Sequence, residues 1–353
     1  MSRAVPSRGP RRRAVVVALA VAALSVPLAA CDRDDDPPGG ETPLGVDLYV
    51  SGFFAANVQR FEGPLAPSPG APAPAPGQSG AVYAPRVSRR PWGVAFGPDG
   101  HLYVANQQGA GAIMRVAGPA SEAPGAHLPA PGQMDAVLVP DGNALALTFG
   151  PDGKLYAVSG GHVRRYEPAT GALIDVFTNG RAPAEASGLL FGPDGHLYVS
   201  SFDSCVMDET GCTGSRGEIL RYDGQTGAFL GTFVGPGVGG LSLPGGLAWT
   251  PAGDLWVTDA NLGAVLRFRG PARADAGAPA PAPGQAGAIF AARESTRPLA
   301  LAVSPGGELF VSTTDAGGGG AGEVLRFNGT SGEWLATFAT VEGGPRGLAF
   351  FPR

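Results

Sequence analysis

The chain predicts an all-β fold, a six-bladed β-propeller of four-stranded antiparallel blades, on three observations. A phrase close to G-L-A-F-G-P-D-G-x-L-Y-V returns in full from Pro91, Ala144, Ala186, Pro244 and Pro298, and once more, truncated, as PRGLAFFPR at the C-terminus. A second phrase, a Val or Ile two residues before an Arg that is followed by a ring or Val, recurs six times with its arginines at positions 60, 115, 165, 221, 267 and 326. No apolar period of helical type follows the first thirty residues, and 57 Gly and 35 Pro suit a chain of many tight turns.

Within each repeat the elements follow in a fixed order. Four or five apolar residues form a first strand that runs into Gly-Pro-Asp-Gly or a variant of it. Pro presets φ at the first corner, Asp bonds its own backbone and Gly accepts positive φ, so a turn is expected there. A second strand such as Leu102-Tyr103-Val104 or Leu255-Trp256-Val257 leaves the turn, rich in aromatic and β-branched residues. The Arg phrase is the third strand. The fourth comes in two forms. Three repeats use a short link and a Gly-led strand, from Gly171, Gly227 and Gly332 to Phe177, Phe233 and Phe338. The other three first insert a Pro/Ala-rich passage, from Gly63, Gly118 and Gly270. Singly these inserts read as polyproline linkers or partner ligands. Their common place in the repeat favours extended loops joining third and fourth strands.

Four-stranded units at a period of some forty to sixty residues predict a propeller, because one such unit cannot bury both faces of its own sheet. The two ends complete one blade. The C-terminal copy supplies only a first strand, residues 347–351, while residues 47–50 and 57–61 supply a second and third strand with no first. Pairing them closes the ring and removes the exposed edges of an open sheet.

The first thirty residues read as an address. Arg3, Arg8 and Arg11 to Arg13 precede an apolar stretch over 14–30, and Leu28-Ala29-Ala30-Cys31 matches the bacterial lipobox pattern. That match implies lipidation of Cys31 and cleavage before it; a plain secretory signal or a spanning anchor is the alternative, although the stretch is short for a span. The expected organisation is a lipoprotein signal peptide over 1–30, a polar tether over 31–43 and a propeller over 44–353, placed in the bacterial cell envelope with the membrane as partner through Cys31. Losing five arginines with the signal takes the formal charge from −5 to −10, and no basic surface remains to track phosphates, so nucleic acid is not an expected partner. Cys205 and Cys212 lie in one loop of the fourth repeat and read as a disulfide in an oxidising compartment; a thiol or metal pair is the sharper alternative, without a His in that loop to support it.

The G-L-A-F-x-P-D-G-x-L-Y-V phrase, with Val257-Thr258-Asp259-Ala260-Asn261 followed by Val265-Leu266-Arg267-Phe268, resembles the NHL-repeat propellers and, more broadly, the superfamily that includes virginiamycin B lyase and the gluconolactonases. The resemblance covers nearly all of residues 44–353 and implies catalytic or metal sites at one mouth of the central channel, with the Pro-Asp-Gly turns on the opposite face. His101 and His196 follow those turns, His127 lies in an insert and His162 begins a third strand, so none is placed as a general base. Asn106, Asp203, Asp259, Asn261 and Asp315 fall at or just after the ends of second strands, where they either converge on Ca²⁺ or Mg²⁺ or cap loops through backbone N–H groups. The six repeated arginines read as structural. Residues that differ between repeats on the mouth side, Arg90, Trp92, Arg297 and Arg346, are the recognition candidates. This pattern supports two functions. One is a tethered, non-catalytic scaffold that binds a protein, a glycan or a small ligand; the other is a metal-dependent lyase or lactonase.

Overall fold

A computed structural model describes residues 45–352, apart from 109–111, 141, 205–206, 209–210, 213–214, 295 and 316–320, and excluding the side chains of 207–208, 211–212, 315 and 321. Six four-stranded antiparallel sheets succeed one another as blades. Blade 1 joins the chain ends, with Pro345–Pro352 innermost, then Val46–Gly52, Asn57–Phe61 and Val82–Ala84. Blades 2 to 6 begin with inner strands Pro91–Phe96, Leu147–Phe149, Glu185–Phe191, Pro244–Trp249 and Thr296–Val303. The closing pair runs from Val46 opposite Pro352 to Gly52 opposite Pro345, longer than the sequence predicts at both ends.

The ring is held by side chains that the repeated phrase places at blade boundaries. The aromatic at the second position of each second strand is fully buried and, in most blades, meets the ring at the end of the next blade's first strand edge-on. Tyr49 meets Phe96, Tyr103 meets Phe149, Tyr156 meets Phe191 and Tyr198 meets Trp249, with centroids 4.9–5.0 Å apart; Phe310 meets Phe350 across the closure at 5.1 Å. Each such pair adds about 0.5–1.5 kcal/mol beyond its buried area. Nearer the mouth, second-strand hydroxyls donate to first-strand carbonyls of the next blade: Ser200 to Gly245 (2.8 Å), Thr258 to Leu299 (3.0 Å), Ser312 to Arg346 (2.6 Å), and Ser51 to Trp92.

The Pro-rich inserts join third and fourth strands as the sequence predicts, and they also fold back to bond both. Ala73 N–H bonds the carbonyl of Arg60 in the third strand, and Ala75 N–H that of Val82 in the fourth; Leu128 and Ala130, and Ala280 and Ala282, repeat the arrangement. Each insert thus satisfies backbone groups between two strands that would otherwise splay. One reading changes: the glycines expected to lead the fourth strands sit in the turns before them, with positive φ at Gly171, Gly227 and Gly332, and the strands start at Leu173, Phe229 and Trp334.

The Pro-Asp-Gly turns are as the sequence predicts. Asp194 Oδ1 accepts from His196 N (3.2 Å) and its Oδ2 accepts from the Tyr198 hydroxyl (2.8 Å); Asp99 with Tyr103 and Asp152 with Tyr156 do the same. The repeated arginines serve this frame. Arg60, Arg165, Arg221 and Arg326 pair with Asp47, Asp175, Asp194 and Glu308, while Arg115 and Arg267 donate to loop carbonyls. All six are structural, as the sequence predicts, four through a carboxylate and two through loop carbonyls.

Candidate functional site

The six first strands surround a central cavity of about 390 Å³, and a second cavity of about 420 Å³ lies at one end of it. The second cavity is lined by one residue near the start of each blade's first strand or, in blade 3, just before it: Trp92, Leu145, Ser187, Gly245, Leu299 and Arg346. These are the same position of the repeat, between Pro or Ala and Gly or Ala, and five residue types fill it across the six blades, Leu occurring twice. A ring position that the frame leaves free is where a propeller differentiates its mouth. Two residues earlier in the repeat stand Glu185, Leu243 and Arg297, and Gln107, Phe202, Ala260 and Thr314 come from the ends of second strands or the residue just after them. Trp92, Arg297 and Arg346 therefore line one cavity.

Arg346 is the only charged member of the inner ring. It is 9% exposed, although its cation sits at a channel mouth. Its guanidinium lies 4.6 Å from the Phe53 ring centroid and 5.2 Å from that of Trp92, and Arg90 lies over Phe53 at 5.2 Å. Phe53 thus gathers Arg90, which lies outside the cavity lining, into the same aromatic group. One Arg346 terminal nitrogen donates to its own neighbour, the Pro345 carbonyl (3.1 Å), and Nε has no hydrogen-bond partner among the described residues. Burial, with a smaller contribution from Arg297, pushes the Arg346 pKa down to about 10, so the group remains charged at neutral pH.

The oxygen ligands considered for a cation have other occupations. Asp259 is fully buried, and its two oxygens accept from the backbone N–H groups of Ser242 (2.6 Å), Leu243 (2.9 Å), Asn261 (3.1 Å) and Leu262 (2.9 Å). Asn261 donates to the hydroxyls of Ser215 and Ser242, the buried Asn106 side chain accepts from Gln108 N, and Asp203 stands exposed opposite Arg216. The Asp315 side chain lies outside the described residues, as do Cys31, Cys205 and the side chain of Cys212. Among the described residues no three His, Cys, Asp or Glu side chains gather where they could hold a metal ion. The imidazoles serve the frame: His101 Nδ1 and His196 Nδ1 accept from Gly118 N and Gly224 N, and His127 Nε2 meets the Pro85 carbonyl at 3.0 Å.

Phe53, Gln107 and Phe202 were not singled out by sequence reasoning. Phe53 and Gln107 directly follow second strands and Phe202 lies near the end of one, Leu197–Asp203, beyond the part that repeats. Glu185 was visible as the residue preceding a first strand, but its membership of the mouth depends on ring geometry.

No protein-family model matches the chain, and no curated protein matches it. Among solved structures, a catalytically inactive variant of virginiamycin B lyase from Staphylococcus aureus, with quinupristin, is similar at 14% identity and a TM-score of 0.50, covering 88% of this chain and 93% of that one. A gluconolactonase from Xanthomonas campestris gives 14% identity and a TM-score of 0.50, with 88% and 90% covered. At this identity the likeness is one of architecture: the chain is a six-bladed β-propeller with the fold of virginiamycin B lyase and the gluconolactonases.

Proposed function

We propose that the chain is a membrane-tethered, non-catalytic binding protein of the bacterial envelope whose propeller holds a small ligand in the mouth cavity. One observation carries the reading: the repeat position filled by Trp92, Leu145, Ser187, Gly245, Leu299 and Arg346 is the one that lines a 420 Å³ concavity, with Arg297 beside it. That size suits a small molecule better than a protein loop or an extended glycan. The imidazoles at 101 and 196 bond backbone N–H groups beside the far-face turns and Asp259 is committed to its loop, which leaves the mouth with recognition groups but no evident acid and base pair. The tether rests on the lipobox at Cys31 and the polar stretch over 32–43. Acyl chains there, at about 0.8 kcal/mol per buried CH₂, would keep the protein on the membrane. A disulfide between Cys205 and Cys212 would restrain the blade 4 loop that comes after Phe202.

Two measurements test this reading. Cys31→Ala should move the protein from the membrane fraction to the soluble fraction, and its retention on the membrane would remove the lipid anchor. Purified protein should show no change in melting temperature with Ca²⁺ or a chelator and no turnover of lactones. A Ca²⁺-dependent rise that the chelator reverses, accompanied by lactone or lyase turnover, would replace the scaffold by the enzymatic reading.

A further inference from the structure

We infer that the mouth is a carboxylate site, in which Arg346 and Arg297 together hold the anionic head of a monocarboxylate with an apolar body. The inference rests on the reading of the mouth as a ligand site and adds the ligand's chemistry. Burying a cation without a partner is costly, and in this molecule it is the exception. Four of the six repeated arginines carry a carboxylate within 4.0 Å and the other two bond loop carbonyls. Arg346 is more buried than any of these six, yet neither it nor Arg297 has a carboxylate partner among the described residues. Arg297 and Arg346 come from adjacent blades, 6 and 1, and the second cation makes the first harder to bury. The faces of Phe53 and Trp92 return part of that cost, since a ring attracts a cation. They satisfy no N–H donor, however, and Nε of Arg346 stays open.

An anion between the two guanidiniums would neutralise both charges and take up the donors that planar carboxylates match. The remaining wall selects the body attached to that head. Leu145, Phe202, Leu243 and Leu299 present apolar surface to the same cavity. Glu185 lies on blade 4, on the far side of the ring from blade 1, where it accepts from the Ser204 hydroxyl. Its charge disfavours a second carboxylate at the ligand's other end.

The probe is benzoate, with benzamide as its uncharged counterpart, titrated into the full-length protein by calorimetry and by the fluorescence that Trp92→Phe removes. Benzoate should bind and raise the melting temperature, and benzamide should bind about tenfold more weakly or worse, as expected when a charge-assisted hydrogen bond is lost. Arg297→Gln and Arg346→Gln should each weaken benzoate by about tenfold or more. Arg297 is the less buried of the two, so its variant reads binding even where Arg346→Gln disturbs the closing strand. Equal binding of benzamide and benzoate at Trp92 would overturn the carboxylate inference and leave the mouth as a ligand site. No response of the Trp92 signal to either compound would overturn both. Benzoate binding unchanged in both arginine variants would place it elsewhere and overturn the inference.

Discussion

A buried phenol bonded to a turn carboxylate is the residue-scale device that ties far face to core. Tyr103, Tyr156 and Tyr198 each donate to the Asp of a Pro-Asp-Gly turn, and Tyr83 and Tyr222 donate to the carbonyls of Ala117 and Arg181. Burial, the largest cause in every case, pushes all five pKa values up, to about 12 for Tyr83 and Tyr156 and further for Tyr103, Tyr198 and Tyr222. An unfolded tyrosine ionises near 10, so above that pH the unfolded chain has shed protons that the folded one retains. Stability should therefore be intact below about pH 10 and fall as pH rises toward the folded values. Arg346 works in the opposite direction over a similar window, because its folded pKa lies below its unfolded one. The Tyr166 pKa is raised like those of the five phenols and that of Arg267 is lowered like that of Arg346, so among the described residues phenols outnumber opposing guanidiniums six to two. Urea midpoints measured from pH 8 to 11.5 should be flat and then drop, and Tyr198→Phe should soften the drop. A flat profile to pH 11.5 would mean that the phenols are not held as described.

At the scale of elements, one glycine per blade locks the turn or insert before the fourth strand onto the preceding blade. A Cβ on Gly227 would lie 1.8 Å from the Phe177 carbonyl oxygen, and φ there is +70°. Gly125, inside a Pro-rich insert, stands in the same relation to the Tyr83 carbonyl at 2.1 Å, with φ +78°. The two forms of the repeat thus converge on one contact. Gly227→Ala and Gly125→Ala should each cost at least about 2 kcal/mol in chemical denaturation, from left-handed strain and backbone collision together. A much smaller loss at Gly125 would show that the insert yields where the short link does not. The blades, their order and their turns were legible because they repeat, and repetition exposes the period directly. Gly171, Gly227 and Gly332 were misread as strand starts and Gly125 was not singled out within its insert, since nothing local reveals a carbonyl belonging to the previous blade. The place of the inserts between third and fourth strands was legible, but their bonds to both strands were not, because those join residues distant in sequence. Of the mouth, Trp92, Arg297 and Arg346 could be picked out as departures from the repeat, but their convergence with Glu185 and Phe202 comes only from closing the ring.

Over the whole molecule, frame and recognition occupy different faces. The turns, the Tyr–Asp pairs and most repeated arginines hold the blades, while the residues that differ from blade to blade gather at the mouth. Both depend on the closing strand, Pro345–Pro352, which completes blade 1, receives the Ser312 hydroxyl on the Arg346 carbonyl, donates Gly347 N–H to Ser51 Oγ (2.8 Å) and carries Arg346 into the cavity. Without it the fully buried Leu48, Tyr49 and Val50 would front an open sheet edge, and blades 1 and 6 would lose their seam. The most direct test of the account is therefore the thermal unfolding of a chain lacking residues 346–353, beside the intact protein. The account predicts that the truncated chain is largely unfolded at temperatures where the parent is native. A cooperative transition at the parent temperature would contradict closure of the ring by its two ends.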